Sequence, residues 1–183
     1  MVIAVGRFVA FKAMDRLLKA MNYMDDDVCL VLVGGTPTEE YLEIVRDYPK
    51  GKVEFVGFKS KEELKEYYYA ADTFAIASRG EVWGLVVGEA MAYGLPIISS
   101  DKCNAALAMI GDENGIIVGD DDPETYAKCF SELKRDPERR KMMGKNNFEK
   151  IHKYTIEEST KNDVRSIEDF IIRFNGVNDE DCE

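Results

Sequence analysis

Short apolar runs alternate along this chain with longer stretches whose apolar residues recur every three or four positions. The runs Val2–Val5, Val28–Val33, Val53–Val56, Thr73–Ser78, Pro96–Ser99 and Asn114–Val118 are short and show little polar alternation. That is the pattern of strands covered on both faces. After the first run, Phe11, Met14, Leu17, Leu18, Met21 and Met24 fall at helical spacing and predict an amphipathic helix. Thr36, Pro37 and Glu39 read as the cap, first residue and closing carboxylate of a capping box. Ser60 with Glu63 reads as a second box, opening a helix to Ala70. Asp122-Pro123 and Asp136-Pro137 begin two more helices, the latter over about 137–152, and a last helix is expected over about 156–174. Strands alternating with helices predict an α/β fold, a doubly wound parallel six-stranded sheet of Rossmann type. The 183 residues suit one such domain, residues 1–174, followed by an acidic tail at 175–183 expected to be disordered.

Charge narrows the partners. A net charge of −11 argues against a nucleic-acid or anionic-membrane surface. No apolar run approaches the ~20 residues of a membrane span, and the N-terminus does not read as a signal peptide. Cys29, Cys103, Cys129 and Cys182 are scattered, with no Cys-x-x-C pair, as expected of free thiols in a reducing cytoplasm. The lone histidine, His152, lies far from Cys103 in sequence, so no Cys–His pair is supported. Asp25-Asp26-Asp27 precedes the second strand, at the edge opposite the strand C-termini, and reads as a polar turn. No metal site is expected. Tyr67-Tyr68-Tyr69 suggests a stacking box, but consecutive helical residues point different ways, so helix packing is the expectation.

The chemistry concentrates between Ser78 and Pro96. A buried strand ends, Gly80 and Gly84 permit a tight turn, and a helix opens near Leu85. The free N–H groups of that first turn, Leu85 and Val86 among them, make a ready anion site. Glu81 and Glu89 flank it with seven residues between them. Two carboxylates around an anion site make sense when each accepts hydrogen bonds from hydroxyls, and a sugar nucleotide carries hydroxyls on both sides of its diphosphate. Arg7 and Lys12 follow the first strand, and Gly57-Phe58 follow the third. All of these fall at the C-terminal edge, where open α/β sheets bind ligands.

Glu81-x7-Glu89 followed by Ala-Met-Ala-x-Gly-x-Pro resembles the signature of retaining glycosyltransferases of the two-domain GT-B architecture, family 4. Val-Gly-Arg-Phe-x-x-Phe-Lys, ending at Lys12, is similar to that family's Val-Gly-Arg-Leu-x-x-x-Lys, and Asn114–Val118 to its Asn-Gly-x-Leu-Val strand. Val82-Trp83 stand where the family usually has Gly-Phe, and Cys103-Asn104, in the loop expected after the fifth strand, where it commonly has Gly-Gly. The resemblance covers residues 1 to 155 and implies roles. Arg7 and Lys12 would grip the donor diphosphate, Glu81 would face the donor sugar and phosphate, and Glu89 would hold the ribose. Gly84, Leu85 and Val86 would cradle phosphate, and Gly57 and Phe58 would meet the nucleobase.

It further implies a donor-binding C-terminal domain, cut from a longer enzyme or encoded by a fragment gene. Such an enzyme moves a hexose from a nucleoside diphosphate sugar to an acceptor hydroxyl in polysaccharide or glycolipid synthesis. The acceptor domain would precede this one, so the chain alone is expected to be inactive. No cofactor beyond the donor is expected. The full-length enzyme would be cytoplasmic, peripheral at the inner membrane face. The apolar residues Ile167, Phe170, Ile171, Ile172 and Phe174 suggest self-association of the isolated domain. The alternatives are half of a nucleotide-sugar epimerase, or a stand-alone non-catalytic binding module. A dehydrogenase is excluded because no Gly-x-Gly-x-x-Gly follows the first strand.

Overall fold

The structure, a computed structural model, describes residues 1–49, 51–119 and 122–154. Six strands form one parallel sheet: β1 (Val2–Val5), β2 (Leu30–Val33), β3 (Val53–Gly57), β4 (Thr73–Ile76), β5 (Ile97–Ser100) and β6 (Gly115–Val118). They lie in the order β3-β2-β1-β4-β5-β6. Val2 pairs with Leu30 and Ser100 with Val118, and among the described residues the one break in register is between β2 and β3, where Leu32 faces Phe55 but Val33 faces Gly57. The chain builds outward from β1 through β3, returns to place β4 beside β1, and then builds the other way. The crevice at that reversal, above the C-terminal ends of β1 and β4, is where such sheets take ligands.

The helices are α1 (Met14–Ala20), α2 (Glu39–Val45), α3 (Lys61–Ala70), α4 (Leu85–Ala92), α5 (Asn104–Met109), α6 (Pro123–Arg135) and α7 (Pro137–Ile151). Successive strand residues point to opposite faces, so each face gains its own core. Val2, Ala4, Leu30 and Leu32 pack against Leu17 and Leu18 of α1 and Tyr126 and Phe130 of α6. Ile3, Val31, Phe74 and Ile97 pack on the other face against Tyr68 of α3 and Val87 and Met91 of α4. This two-sided burial is why the strands read as continuous apolar runs.

Three local expectations need correction. Phe11 does not belong to the first amphipathic helix. It is exposed in a separate 3-10 turn, Ala10–Lys12, which Ala13 ends in a left-handed conformation at φ 50° before α1 begins. The capping box at Thr36 is absent. Gly34 and Gly35, at φ 139° and 142°, carry the backbone onward past β2, and α2 starts at Glu39 behind Thr38, whose side chain makes no cap bond. Residues after Cys103 form α5, not loop. By contrast, Ser60 and Glu63 make the full capping box of α3, and Asp122 and Asp136 cap α6 and α7. The aspartate turn is polar: Asp25 and Asp27 pair with Lys134 at 2.9 and 2.5 Å, and Asp26 with Lys52 at 3.1 Å.

Cys29, Cys103 and Cys129 are free thiols. Among the described residues no helix is long and apolar enough to cross a membrane, and no group of His, Cys, Asp or Glu is arranged to hold a metal ion. The helix expected at 156–174, the tail at 175–183 and Cys182 lie outside the described residues.

Candidate functional site

The loop between β1 and α1 is stitched onto the loop after β4. Arg79 sends its guanidinium to both carboxylate oxygens of Asp15, at 3.1 and 2.9 Å, and to the Ala10 carbonyl at 2.6 Å. Its backbone N–H donates to the Phe11 carbonyl at 2.7 Å. Beneath it, the buried Arg16 donates to the Ala77 carbonyl at 3.0 Å. These bonds hold Lys12 over the end of β4, where its ammonium pairs with the Glu81 carboxylate. Arg7 lies exposed in the same loop. The tips of β1 and β2 approach closely here, since a Cβ on Gly34 would overlap the Gly6 carbonyl.

Glu81 is held from the other side by β5's loop. Its N–H donates to the Lys102 carbonyl at 2.8 Å, and it forms a parallel bridge with Cys103. Asn104 Nδ2 donates to the Val82 carbonyl at 2.8 Å, and the Ala105 N–H to the Trp83 carbonyl at 2.8 Å. The Cys103 thiol contacts that carbonyl at 3.4 Å. Cys103 and Asn104 thus brace the turn that carries Glu81. Burial first, and the Glu81 charge beside it, push the Cys103 thiol above its ordinary value, so it stays protonated.

Gly84 makes the start of α4 possible. It sits at φ 93°, and a Cβ there would lie 2.8 Å from Cys103 Sγ and 3.1 Å from Glu81 Cγ. Only glycine takes both the left-handed backbone and that crowding without strain. Leu85, exposed, and Val86, half-buried, follow as the first helical residues, and their N–H groups belong to the helix start. Glu89, four residues on, is exposed and accepts a hydrogen bond of 3.1 Å from the Tyr68 hydroxyl. Glu89, Tyr68, Tyr93, Leu64 and Lys59 line a cavity of about 290 Å³ between α3 and α4. Gly57, at φ 76°, ends β3 and accepts from the Gly34 N–H at 2.8 Å, and Phe58 stands exposed beside it.

Residues 1–150 match the family model described as glycosyl transferases group 1. The chain belongs to that family. Over 151 residues it is 32% identical to the D-inositol 3-phosphate glycosyltransferase of Corynebacterium diphtheriae, a match covering 76% of this chain and 35% of that protein. It therefore spans about a third of the length of the curated relatives it matches. The sucrose-phosphate synthase of Thermosynechococcus elongatus superposes with a TM-score of 0.76 at 29% identity, covering 94% of this chain and 45% of that one. Anabaena HepE, solved with UDP and glucose, superposes with a TM-score of 0.79 at 19% identity, covering 90% and 48%. At that identity the likeness is one of fold.

In this member of the group 1 family, Arg7, Phe58, Glu81 and Gly84 lie in loops, Lys12 ends the 3-10 turn, Gly57 ends β3, and Leu85, Val86 and Glu89 belong to α4, which begins at that same sheet edge. Lys12 and Glu81 are in direct contact, and Glu81 lies against Gly84. Gly57 and Phe58 stand at the β3 end of that edge. Sequence reasoning missed Arg79, Asp15 and Tyr68. Arg79 follows the buried β4 run directly, and a cation at that point in the chain was the one available signal. Asp15 carries no local mark, and the tyrosine triplet marked Tyr68 for helix packing without announcing its bond to Glu89, because the fold brings these partners together. Tyr68 is the buried member of its tyrosine triplet, and Tyr69 is largely exposed.

Proposed function

We propose that this chain is the donor-binding half of a retaining, family 4 glycosyltransferase of GT-B architecture, taking a nucleoside diphosphate hexose. The observation that carries the reading is the Lys12–Glu81 pair lying against the Gly84 start of α4. A cation for phosphate, a carboxylate for sugar hydroxyls and a helix start for an anion meet at the β1/β4 crevice.

In this reading the diphosphate lies over the first turn of α4, at Gly84, Leu85 and Val86. Arg7 offers a planar fork to its oxygens and Lys12 a point charge. The donor hexose meets Glu81, the ribose meets Glu89, and the nucleobase reaches the backbone of Gly57 and Phe58. The anomeric carbon–oxygen bond to the diphosphate breaks, and a bond to the acceptor hydroxyl forms with configuration retained. Negative charge grows on the leaving diphosphate, where Arg7, Lys12 and the helix N–H groups stabilise it without a metal. The acceptor and the base serving it belong to a preceding domain, so the chain alone binds donor and transfers nothing. The product class we infer is polysaccharide or glycolipid, made at the cytoplasmic side of a membrane.

Calorimetric titration with UDP, GDP and uridine tests the reading. Both diphosphates should bind well above uridine. Arg7→Ala should weaken them by about 5- to 30-fold, roughly 1–2 kcal/mol, and leave uridine unchanged. Equal affinity for uridine and UDP in the wild type would contradict it.

A further inference from the structure

Glu89 stands on an exposed helix face, and its side chain has three rotatable bonds. A carboxylate that is to accept two hydroxyls at once must be held still, or binding bears the entropy of ordering it. The structure supplies one restraint. The Tyr68 hydroxyl donates to Oε2 of Glu89 at 3.1 Å, across 21 residues of sequence. Tyr68 itself is immobilised. It is 2% exposed, stacks on Tyr93 at 5.1 Å between centroids with 15° between planes, and packs against Phe74 at 6.3 Å.

We propose that Tyr68 is a positioning residue for the ribose site, fixing the rotamer of Glu89 so that its free lone pairs face the two ribose hydroxyls. An ionised carboxylate has about four acceptor positions. One is taken by Tyr68, leaving enough for both hydroxyls. The direction of the bond is also fixed. Burial first, then the Glu89 charge, pushes the Tyr68 phenol well above its ordinary value, so it remains a donor at any physiological pH.

This inference rests on the assignment of Glu89 to ribose, and the experiment separates the two. UDP and its 2′,3′-dideoxy analogue are titrated into the wild type, Tyr68→Phe, Glu89→Ala and the double variant. Phenylalanine keeps the ring that stacks on Tyr93, and near-ultraviolet dichroism checks that packing. Tyr68→Phe should weaken UDP by about 3- to 10-fold and the dideoxy analogue by less than 2-fold. On the Glu89→Ala background the same substitution should change nothing. The wild-type preference for UDP over the analogue should stay flat from pH 6 to 9. If Tyr68→Phe weakens both ligands alike, or neither, while Glu89→Ala still costs UDP affinity, Tyr68 is packing alone and the proposal falls. If Glu89→Ala leaves UDP binding intact, the ribose assignment itself is overturned, and this inference with it.

Discussion

The Lys12 ammonium and the Glu81 carboxylate, 69 residues apart in sequence, form an ion pair in which each side chain is only 14% exposed. Two partly desolvated charges satisfy each other at the point where a diphosphate and a sugar are expected to arrive. A donor phosphate would have to draw Lys12 from Glu81, freeing that carboxylate for a sugar hydroxyl.

Breaking one half of this pair leaves the other half partly buried and uncompensated. Lys12→Met should therefore lower stability by about 1–3 kcal/mol in urea titration, below the cost at a fully buried site because some solvent reaches both groups. Adding Glu81→Gln should recover part of that loss.

The same pair makes a signed prediction about anions. Glu81→Gln removes both a competitor for Lys12 and a repulsive charge, so pyrophosphate and UDP should bind several-fold tighter than to wild type. Lys12→Met should weaken both. Unchanged affinity in both variants would separate the pair from the phosphate site.

Gly84→Ala should cost about 2–4 kcal/mol, read from the urea midpoint. The alanine would bear a left-handed backbone and a Cβ pressed on Cys103 Sγ and Glu81 Cγ. Cys103→Ala in the same chain should return part of the loss by removing the sulfur, whereas Cys29→Ala should return none.

Alkaline pH should expose the state of Cys103. Its folded-state pKa is raised, chiefly by burial, so above its ordinary value of 9.0 the unfolded thiol ionises before the folded one. The unfolded state then binds fewer protons, and stability falls as pH rises. Cys103→Ala should flatten the pH dependence of the urea midpoint above pH 9. Native alkylation at pH 8, mapped by peptide mass, should leave the Cys103 peptide unmodified.

The fold was legible because its signals are local. Apolar runs marked the strands, and Ser60 with Glu63, Asp122-Pro123 and Asp136-Pro137 marked helix starts at the observed residues. Leu85 opens α4 where Gly84 predicted. Ala13 misled because nothing in an alanine announces a left-handed backbone. Thr36 misled because Gly34 and Gly35 prolong the path beyond β2. In the site, the loop positions of Arg7, Lys12 and Glu81, and the place of Glu89 in α4, could be read from chain order. Their supports could not. Arg79 with Asp15 and Tyr68 with Glu89 join residues 64 and 21 apart, and only the packed sheet brings them together.

The most direct test of the donor site is calorimetric titration of wild type and Glu89→Ala with UDP, GDP and 2′,3′-dideoxy-UDP. Charged hydrogen bonds to ribose worth about 1.5–3 kcal/mol predict a loss of roughly 10- to 150-fold. That loss should be similar for UDP and GDP, because both present the same ribose, and small for the dideoxy analogue. Unchanged UDP affinity in a folded Glu89→Ala chain would contradict the account.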